Sequence, residues 1–180
     1  LHLGLASPAE IKNAAIGAFL IAALLGIYLI CRGGVAILLI GVFSIASGIF
    51  YTAGTKPLGY QGLGDVFVFI FFGPVAVAGT YFVQAKDMNL AVAVAGIAPG
   101  LLSTAILVVN NIRDRETDVV TKKKTLAVRF GLSFVRREYL FCILGAVFVP
   151  FVLTYLKTGH YFSLISTASL IVALPLIKTV

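Results

Sequence analysis

Charged residues are scarce in this chain. Of its 180 residues only 12% are Asp, Glu, Lys or Arg, whereas 60% are hydrophobic. The mean hydropathy is +1.06, which excludes an ordinary soluble domain, where about a quarter of the residues are charged. The sequence also lacks the two-residue alternation of membrane β-barrel strands. Since backbone groups in lipid must then pair within helices, the composition predicts an all-α, polytopic membrane protein.

Cysteine and histidine are nearly absent, with two residues of each. Cys31 and Cys142 stand alone in or near apolar runs, where cysteine usually serves as a small apolar side chain, so they indicate no disulfide framework. His2 and His160 lie far in sequence from the polar motifs described below. Neither residue type marks a candidate site.

Six apolar stretches are each close to the roughly 17–25 residues that a helix needs to cross a bilayer. They cover residues 14–30, 35–50, 66–82, 91–109, 140–155 and 161–177. Ahead of the first, Ser7, Pro8 and Glu10 have the pattern of a helix start, with Ser7 as the N-cap. The sequence therefore predicts a transmembrane helical bundle with about six spans.

Basic residues are distributed unevenly between the two sides of the predicted bundle. Only Arg32, Lys86 and Lys157 lie on one side, and the other eleven of the fourteen Lys and Arg lie on the opposite side. This bias predicts that the second side is cytoplasmic. Eight of the eleven lie between the fourth and fifth spans, where a phosphorylated ligand or anionic lipid would also account for them. Aromatic residues are not interleaved with them, so we expect no nucleic acid partner.

The most informative polar segment is residues 110–118, which directly follow an apolar run. If the helix continues, Asn111, Asp114 and Asp118 occupy positions i, i+3 and i+7 and share one narrow arc. Carboxylates at the end of a membrane helix are costly unless a cation lies among them. Mg²⁺ uses few protein oxygens and completes its coordination with water and phosphates, so these residues are candidate metal ligands.

Two further segments supply candidate binding groups on the same side. Between the second and third spans, Pro57 disfavours helix at Lys56, whose ammonium can then reach inward. Interfacial anchoring explains Lys56 and Tyr51 about equally well, and for Tyr60 it is the favoured interpretation. Asp65, followed by a run of apolar residues, has no evident partner in sequence.

The second segment is the basic run of residues 122–131, which comes directly after the acidic one. Carboxylates beside Lys and Arg suit a complex of metal and diphosphate, in which the bases hold the phosphate oxygens. We expect Lys123 and Arg129 to take this role. A solvated loop is the alternative for the lysines, and it is favoured for Lys124 alone.

Residues 110–118 (NNIRDRETD) with 124–131 (KTLAVRFG) resemble the second Asp-rich motif of the UbiA superfamily of membrane prenyltransferases. Residues 51–79 are similar to its menaquinone branch, the 1,4-dihydroxy-2-naphthoate prenyltransferases. The resemblance implies a nine-helix fold in which two Asp-rich motifs face a central cavity. Residues 1–180 would form a single transmembrane prenyltransferase domain. It would be a fragment that lacks the N-terminal helices, which carry the first Asp-rich motif, and the last helix.

The resemblance also implies an activity, the Mg²⁺-dependent transfer of a polyprenyl group from polyprenyl diphosphate to 1,4-dihydroxy-2-naphthoate in a bacterial cytoplasmic membrane. Mg²⁺ would be held by Asn111, Asp114 and Asp118, and the diphosphate by Lys56, Tyr51, Lys123 and Arg129. Asp65 would position or deprotonate the acceptor. Helix breaks at Gly73-Pro74 and Pro99-Gly100 could shape an apolar slot for the prenyl tail.

Three departures from the family pattern stand out. The first Asp-rich motif is absent from this chain, so the fragment alone could be inactive. Tyr51 and Lys56 are separated by one residue more than in the family's common Tyr-x-x-x-Lys. Val119 and Lys122 stand where the menaquinone branch usually has Arg and Gly.

Two alternative functions stay open at this point. One is another aromatic prenyltransferase on the same fold, which would transfer a phytyl or geranylgeranyl group. The other is a cation- or proton-coupled transporter. A transporter would place its acids near the bilayer midplane. Acids at a helix end beside a basic loop favour diphosphate chemistry instead.

Overall fold

The computed structural model describes residues 7–54, 57–156 and 161–168, together with residues 171, 173, 175 and 177. The regular structure in these ranges is helical and includes no strand, which confirms the all-α fold. The α-helices are α1 (Pro8–Thr52), α2 (Gly64–Ile70), α3 (Ala76–Ala85), α4 (Leu90–Ala95), α5 (Ile97–Arg113), α6 (Arg115–Val120), α7 (Leu126–Phe130) and α8 (Leu132–Leu156). A π-helical turn, Phe71–Val75, joins α2 to α3, and 3₁₀ helices cover Leu58–Gln61 and Tyr161–Ala168.

Four helical segments in these ranges are long and apolar enough to cross a membrane. They are Pro8–Thr52, Gly64–Ala85, Leu90–Arg113 and Leu132–Leu156. The last three contain the third, fourth and fifth predicted spans. The first segment contains the first two predicted spans, which a backbone break at Gly34 separates. The structure differs from the prediction in the sixth span, which begins as a 3₁₀ helix in the described residues. The protein is an all-α membrane protein.

Helix α1 has 45 residues, which at 1.5 Å per residue is about twice the thickness of a bilayer core. Its backbone leaves the helical conformation at Gly34, where φ is 66° and ψ is −155°, a combination open to glycine. This break falls between the two predicted spans, so each side of Gly34 is still of spanning length. The chain divides into two compact units, Leu1–Ser47 and Gly48–Val180, and every candidate site residue belongs to the second.

Local sequence specifies where helices begin. The Ser7 N–H donates to Glu10 Oε2 at 2.7 Å, and the Glu10 N–H donates to Ser7 Oγ at 3.2 Å. This reciprocal pair is a capping box, which confirms the helix start predicted from the sequence. At α4, the Asn89 side-chain oxygen accepts from the Val92 N–H at 3.1 Å and satisfies one of the unpaired donors of a helix start.

The core of the second unit lies between α5 and α8. It is formed by buried side chains from α5, α7 and α8, namely Leu101, Ala105, Val108, Ala127, Val135, Tyr139, Cys142, Ile143 and Ala146. Cys142 is 2% exposed, so it serves as a small apolar core residue, as the sequence predicted. This packing fixes the end of α5, from which the acidic motif continues.

The predicted helix break at Gly73-Pro74 is present. At this break the backbone lies close to the backbone of Gly96 and Gly100. A Cβ atom at Gly73 would lie 2.6 Å from the Gly96 carbonyl oxygen and 2.7 Å from the Gly100 Cα. Only glycine leaves room for so close an approach. The segment from α2 to α3 is therefore packed against α5 at this point.

Candidate active site

The acidic motif lies on an almost continuous helix. Helix α5 ends at Arg113, Asp114 has φ −93° and ψ 5°, and α6 begins at once. Helical hydrogen bonds cross this junction, because the Asp118 N–H donates to the Asp114 carbonyl at 2.9 Å. The predicted helical spacing of the motif is therefore confirmed, with one interrupted residue.

Asp118 is 3% exposed and forms an ion pair with Lys123. Lys123 Nζ lies 2.9 Å from Asp118 Oδ1 and 5.4 Å from the centre of the Tyr60 ring. This hydrogen bond to Asp118 raises the pKa of the Lys123 ammonium, with smaller contributions from Asp118, Tyr60 and Asp114 charges. Lys123 therefore stays cationic at neutral pH and is held between an acid and an aromatic face.

Asp114 is more open, with 44% of its side chain exposed. Arg113 Nε donates to Asp114 Oδ1 at 2.7 Å, and Arg113 Nη2 donates to Oδ2 at 2.8 Å. This pairing, with a smaller contribution from Lys123, lowers the pKa of Asp114. Asp118 is thus paired with Lys123 and Asp114 with Arg113, so each acid of the motif has a basic partner of its own.

The turn after α6 directs Lys123 back onto Asp118. Lys122 has a positive φ of 58°. The Lys123 N–H donates to the Asp118 carbonyl at 2.9 Å, and the Lys122 N–H donates to the Val119 carbonyl at 3.1 Å. These are the two hydrogen bonds of a Schellman motif, with Lys122 at the position that favours glycine. The family branch that this sequence resembles usually has glycine at this position. The structure therefore keeps the turn although lysine replaces the glycine.

Replacing Lys122 with Gly should stabilise the protein by about 0.5–1 kcal/mol. An L-residue is strained in the left-handed backbone conformation, and glycine removes that strain. The free energy gained in this way exceeds the entropic cost of glycine by about this amount. The measurement is the thermal unfolding midpoint of the full-length protein in detergent. Lys122→Ala is the matched control, since it removes the same charge but keeps the Cβ atom and should give no gain. Equal midpoints for the two variants would contradict the assigned turn.

The connector after α1 packs directly under this turn. The Lys124 N–H donates to the Tyr60 carbonyl at 2.8 Å. Gly62 has φ 76°, and a Cβ atom on it would lie 2.6 Å from the Lys124 carbonyl oxygen. Glycine at position 62 therefore permits the two loops to touch, and the contact places Tyr60 beneath Lys123. Interfacial anchoring, the favoured interpretation of Tyr60 from sequence, misses this role.

A small polar cavity adjoins the contact. Its lining includes the side chains of Tyr51, Asp65, Asn111 and Thr125, and it has room for about one water molecule. The Tyr51 ring fits here because two glycines make space for it: a Cβ atom at Gly64 would lie 2.9 Å from the Tyr51 hydroxyl, and one at position 59 would lie 3.0 Å from its ring. Asp65, Tyr51 and Asn111 were all candidates from sequence, and the structure brings them together.

Asp65 is 6% exposed, and its Oδ1 has no hydrogen-bond partner within the described part of the chain. Glu138 of α8 is half-buried and also has one buried carboxyl oxygen, Oε2, without such a partner. Two acids with buried, unpaired oxygens are costly. They are therefore candidates for contacts with a ligand, and Glu138 had no signal in the sequence beyond being an acid near a helix start.

The remaining predicted residues have different outcomes. Lys56 lies outside the described residues. Arg129 is on α7, which is tied to α6 by a 3.1 Å hydrogen bond from Arg115 Nε to the Ala127 carbonyl. The Arg129 side chain is exposed, with its guanidinium carbon 5.2 Å from the Phe130 ring centre. Arg129 is therefore not buried by the packing of α7, and is free to meet a ligand.

The donor set suits a hard cation only in part. Asp114, Asp118 and Asn111 supply oxygen ligands of the kind Mg²⁺ prefers, and Lys123 marks where Asp118 accepts positive charge. In residues 7–54, 57–156 and 161–168, however, no three Asp, Glu, His or Cys side chains gather closely enough to hold a metal ion. The residues fit one half of a carboxylate metal site.

The chain matches the UbiA prenyltransferase family over residues 3–179. It is 40% identical to "1,4-dihydroxy-2-naphthoate octaprenyltransferase" of Mycobacterium tuberculosis (strain ATCC 25618 / H37Rv) over 83% of this chain and 51% of the relative. It is 36% identical to the protein of the same name from Escherichia coli (strain K12) over 82% of this chain and 50% of the relative. The chain thus spans about half the length of these relatives.

A third relative with that name, from Haemophilus influenzae (strain ATCC 51907 / DSM 11121 / KW20 / Rd), is 44% identical over 60% of this chain and 34% of its own length. No solved structure matches the chain. The family match covers nearly all of the sequence, including the acidic motif, the basic turn and the connector that packs beneath it. The chain belongs to the UbiA prenyltransferase family.

Proposed function

We propose that the protein containing this chain transfers a polyprenyl group from polyprenyl diphosphate to 1,4-dihydroxy-2-naphthoate in menaquinone biosynthesis, with Mg²⁺ as the cofactor. The family membership and the names of the relatives support prenyl transfer and this acceptor. The observation that carries the proposal is that two carboxylates one helical turn apart, Asp114 and Asp118, each pair with a basic side chain just beyond a membrane helix. A complex of a diphosphate with a metal ion needs carboxylates to bind the metal and, close to them, basic groups to bind the phosphate oxygens.

In this proposal Asn111, Asp114 and Asp118 hold Mg²⁺, together with ligands from outside this chain. When bound, the ion neutralises the diphosphate leaving group, a contribution worth several kcal/mol. Lys123 is already cationic and exchanges its contact with Asp118 for a diphosphate oxygen. Arg129, which is exposed on α7, contacts the same group, and Lys56 remains a predicted third contact.

The chemistry breaks the allylic C–O bond of the donor, and the electron pair leaves with the diphosphate. The ring carbon that bears the acceptor's carboxylate then forms the new C–C bond, and this carboxylate leaves as CO2, whose bonding electron pair restores the aromatic ring. Cations placed before the reaction at the departing oxygens stabilise the charge that develops there. Asp65 lies in the adjoining cavity and positions the acceptor. The positive-inside bias supports a cytoplasmic location for this end of the helices.

The test is an assay of the full-length gene product in membranes with Mg²⁺, a polyprenyl diphosphate and dihydroxynaphthoate. We expect prenylated naphthoquinol from the wild type and a loss of about 10²-fold or more for Asp114→Ala, because charge stabilisation of the leaving group is removed. Asp87→Ala, which alters an exposed acid in the connector after α3, is the control and should keep full activity. Product with a different aromatic acceptor alone would show that the acceptor is wrong. No product with any aromatic would overturn the proposal.

A further inference from the structure

The cavity beside the Lys123–Asp118 pair contains a polar group that the proposed chemistry does not use. Thr125 is 6% exposed, and its hydroxyl Oγ1 has no hydrogen-bond partner within the described ranges. Thr125 is the N-cap residue of α7, a position where a threonine hydroxyl usually accepts a backbone N–H. Here the side chain makes no such bond and instead lines the cavity.

Thr104 shows what a buried threonine in this bundle does when its role is structural. It is 5% exposed, and its hydroxyl donates to the Gly100 carbonyl at 2.9 Å. Buried polar groups are nearly always paired in this way. The unpaired hydroxyl of Thr125 is therefore an exception. Asp65, whose Oδ1 is a second buried atom without a partner, lines the same cavity.

Thr125 and Asp65 both line this cavity, and each has a buried polar atom available to bond a small group there. A carboxylate oxygen accepts hydrogen bonds, and a hydroxyl both donates and accepts, so a hydroxyl group placed between them would satisfy both. The space admits about one water molecule, which suits a single hydroxyl and excludes an aromatic ring. The ring would have to remain outside the cavity.

The position of the cavity links it to the reacting groups. Gly62, which lines it, lies against the Lys124 carbonyl, and Thr125 directly follows the three lysines of the basic run. A ligand whose hydroxyl lies in the cavity would therefore have its remaining part beside the basic turn, where the proposed diphosphate binds.

We propose that Thr125 and Asp65 form a hydroxyl-binding notch that holds a phenolic hydroxyl of the aromatic acceptor. This inference rests on the proposed function and deepens it, because it assigns a specificity role to Thr125. Asp65 accepts the hydrogen bond of the phenol, and the Thr125 hydroxyl donates to the phenolic oxygen. A site built to hydrogen-bond a hydroxyl discriminates strongly against an analogue that lacks it.

The test is equilibrium binding of dihydroxynaphthoate and of 2-naphthoate, which lacks both hydroxyls, to the full-length protein in detergent. Thr125→Val is the variant, since it replaces the hydroxyl with a methyl group of similar size. We expect its dissociation constant for dihydroxynaphthoate to rise about tenfold, with that for 2-naphthoate unchanged. The donor KM should also be unchanged, and the thermal midpoint equal or higher, because an unpaired buried hydroxyl is removed.

Thr154→Val is the matched control, because it removes a hydroxyl that donates to the Pro150 carbonyl at 2.9 Å on α8, outside the cavity lining; it should lower the thermal midpoint and leave the binding of both acids unchanged. Unchanged dihydroxynaphthoate binding by Thr125→Val would overturn the inference and indicate that the notch holds only water. A lowered midpoint with equal weakening for both acids would also overturn it, in favour of a structural hydroxyl. Because binding is measured without turnover, these outcomes are separate from a failure of the wild type to form product, which would overturn the proposed function.

Discussion

Asp118→Asn should reduce the rate of prenyl transfer by about 10²–10³-fold, the size of effect seen when a group that stabilises developing charge is removed. The substitution keeps the shape of the side chain but removes the negative charge that is buried beside Lys123. The proposed cation site would lose one of its two acidic ligands. The measurement is the initial rate of product formation by the full-length protein at saturating donor and acceptor.

Glu116→Gln is the control for Asp118→Asn. It removes an acid from the same short helix, but from an exposed position, and should leave the rate within about twofold. The sequence also predicts that Glu116 points away from the arc of the motif. If Asp118→Asn retained near wild-type activity, or if both variants were equally impaired, the assignment of Asp118 as a ligand would be wrong.

Lys123→Met should both destabilise the protein and weaken donor binding. The change leaves the Asp118 carboxylate, of which only 5% is exposed, without its cation. Removing one partner of a fully buried pair costs about 3–5 kcal/mol; since 34% of the Lys123 side chain is exposed, we expect about 1–3 kcal/mol. Loss of a diphosphate contact should raise the donor KM at least tenfold.

The double variant Asp118→Asn/Lys123→Met separates these two effects. It removes the unpaired charge, so much of the lost stability should return, while activity stays low. Lys124→Met is the control, because Lys124 contributes its backbone N–H to the contact with Tyr60 and its side chain is exposed. A Lys123→Met variant as stable as the wild type would contradict the importance of the ion pair.

The fold was largely predictable because its determinants are local. Long apolar runs gave the third, fourth and fifth spans, and the Ser7–Glu10 capping box gave the start of α1. The helical spacing of the acidic motif also held, with a single interruption at Asp114. The first two spans were predictable as well, because the backbone break at Gly34 falls between the two apolar runs.

The sequence pointed to several residues that the structure brings together, namely Tyr51, Asp65 and Asn111, but not to the contacts between the loops. Asp65 stood out because an acid before an apolar run needs a partner, and the structure leaves one of its oxygens unpaired in a cavity. Tyr60 and Thr125 were missed because their roles depend on two loops about 60 residues apart that pack together at Gly62. Spacing within one segment gives no signal for such a contact.

The central claim is that Asp114 and Asp118 hold a divalent cation for the diphosphate. Its most direct test is to count the Mn²⁺ ions bound to the full-length protein by electron paramagnetic resonance, in the presence of an unreactive diphosphate analogue. The wild type should bind Mn²⁺, and the Asp114→Asn/Asp118→Asn variant should lose at least one ion per chain. An equal number of ions with equal affinity in both proteins would contradict the claim.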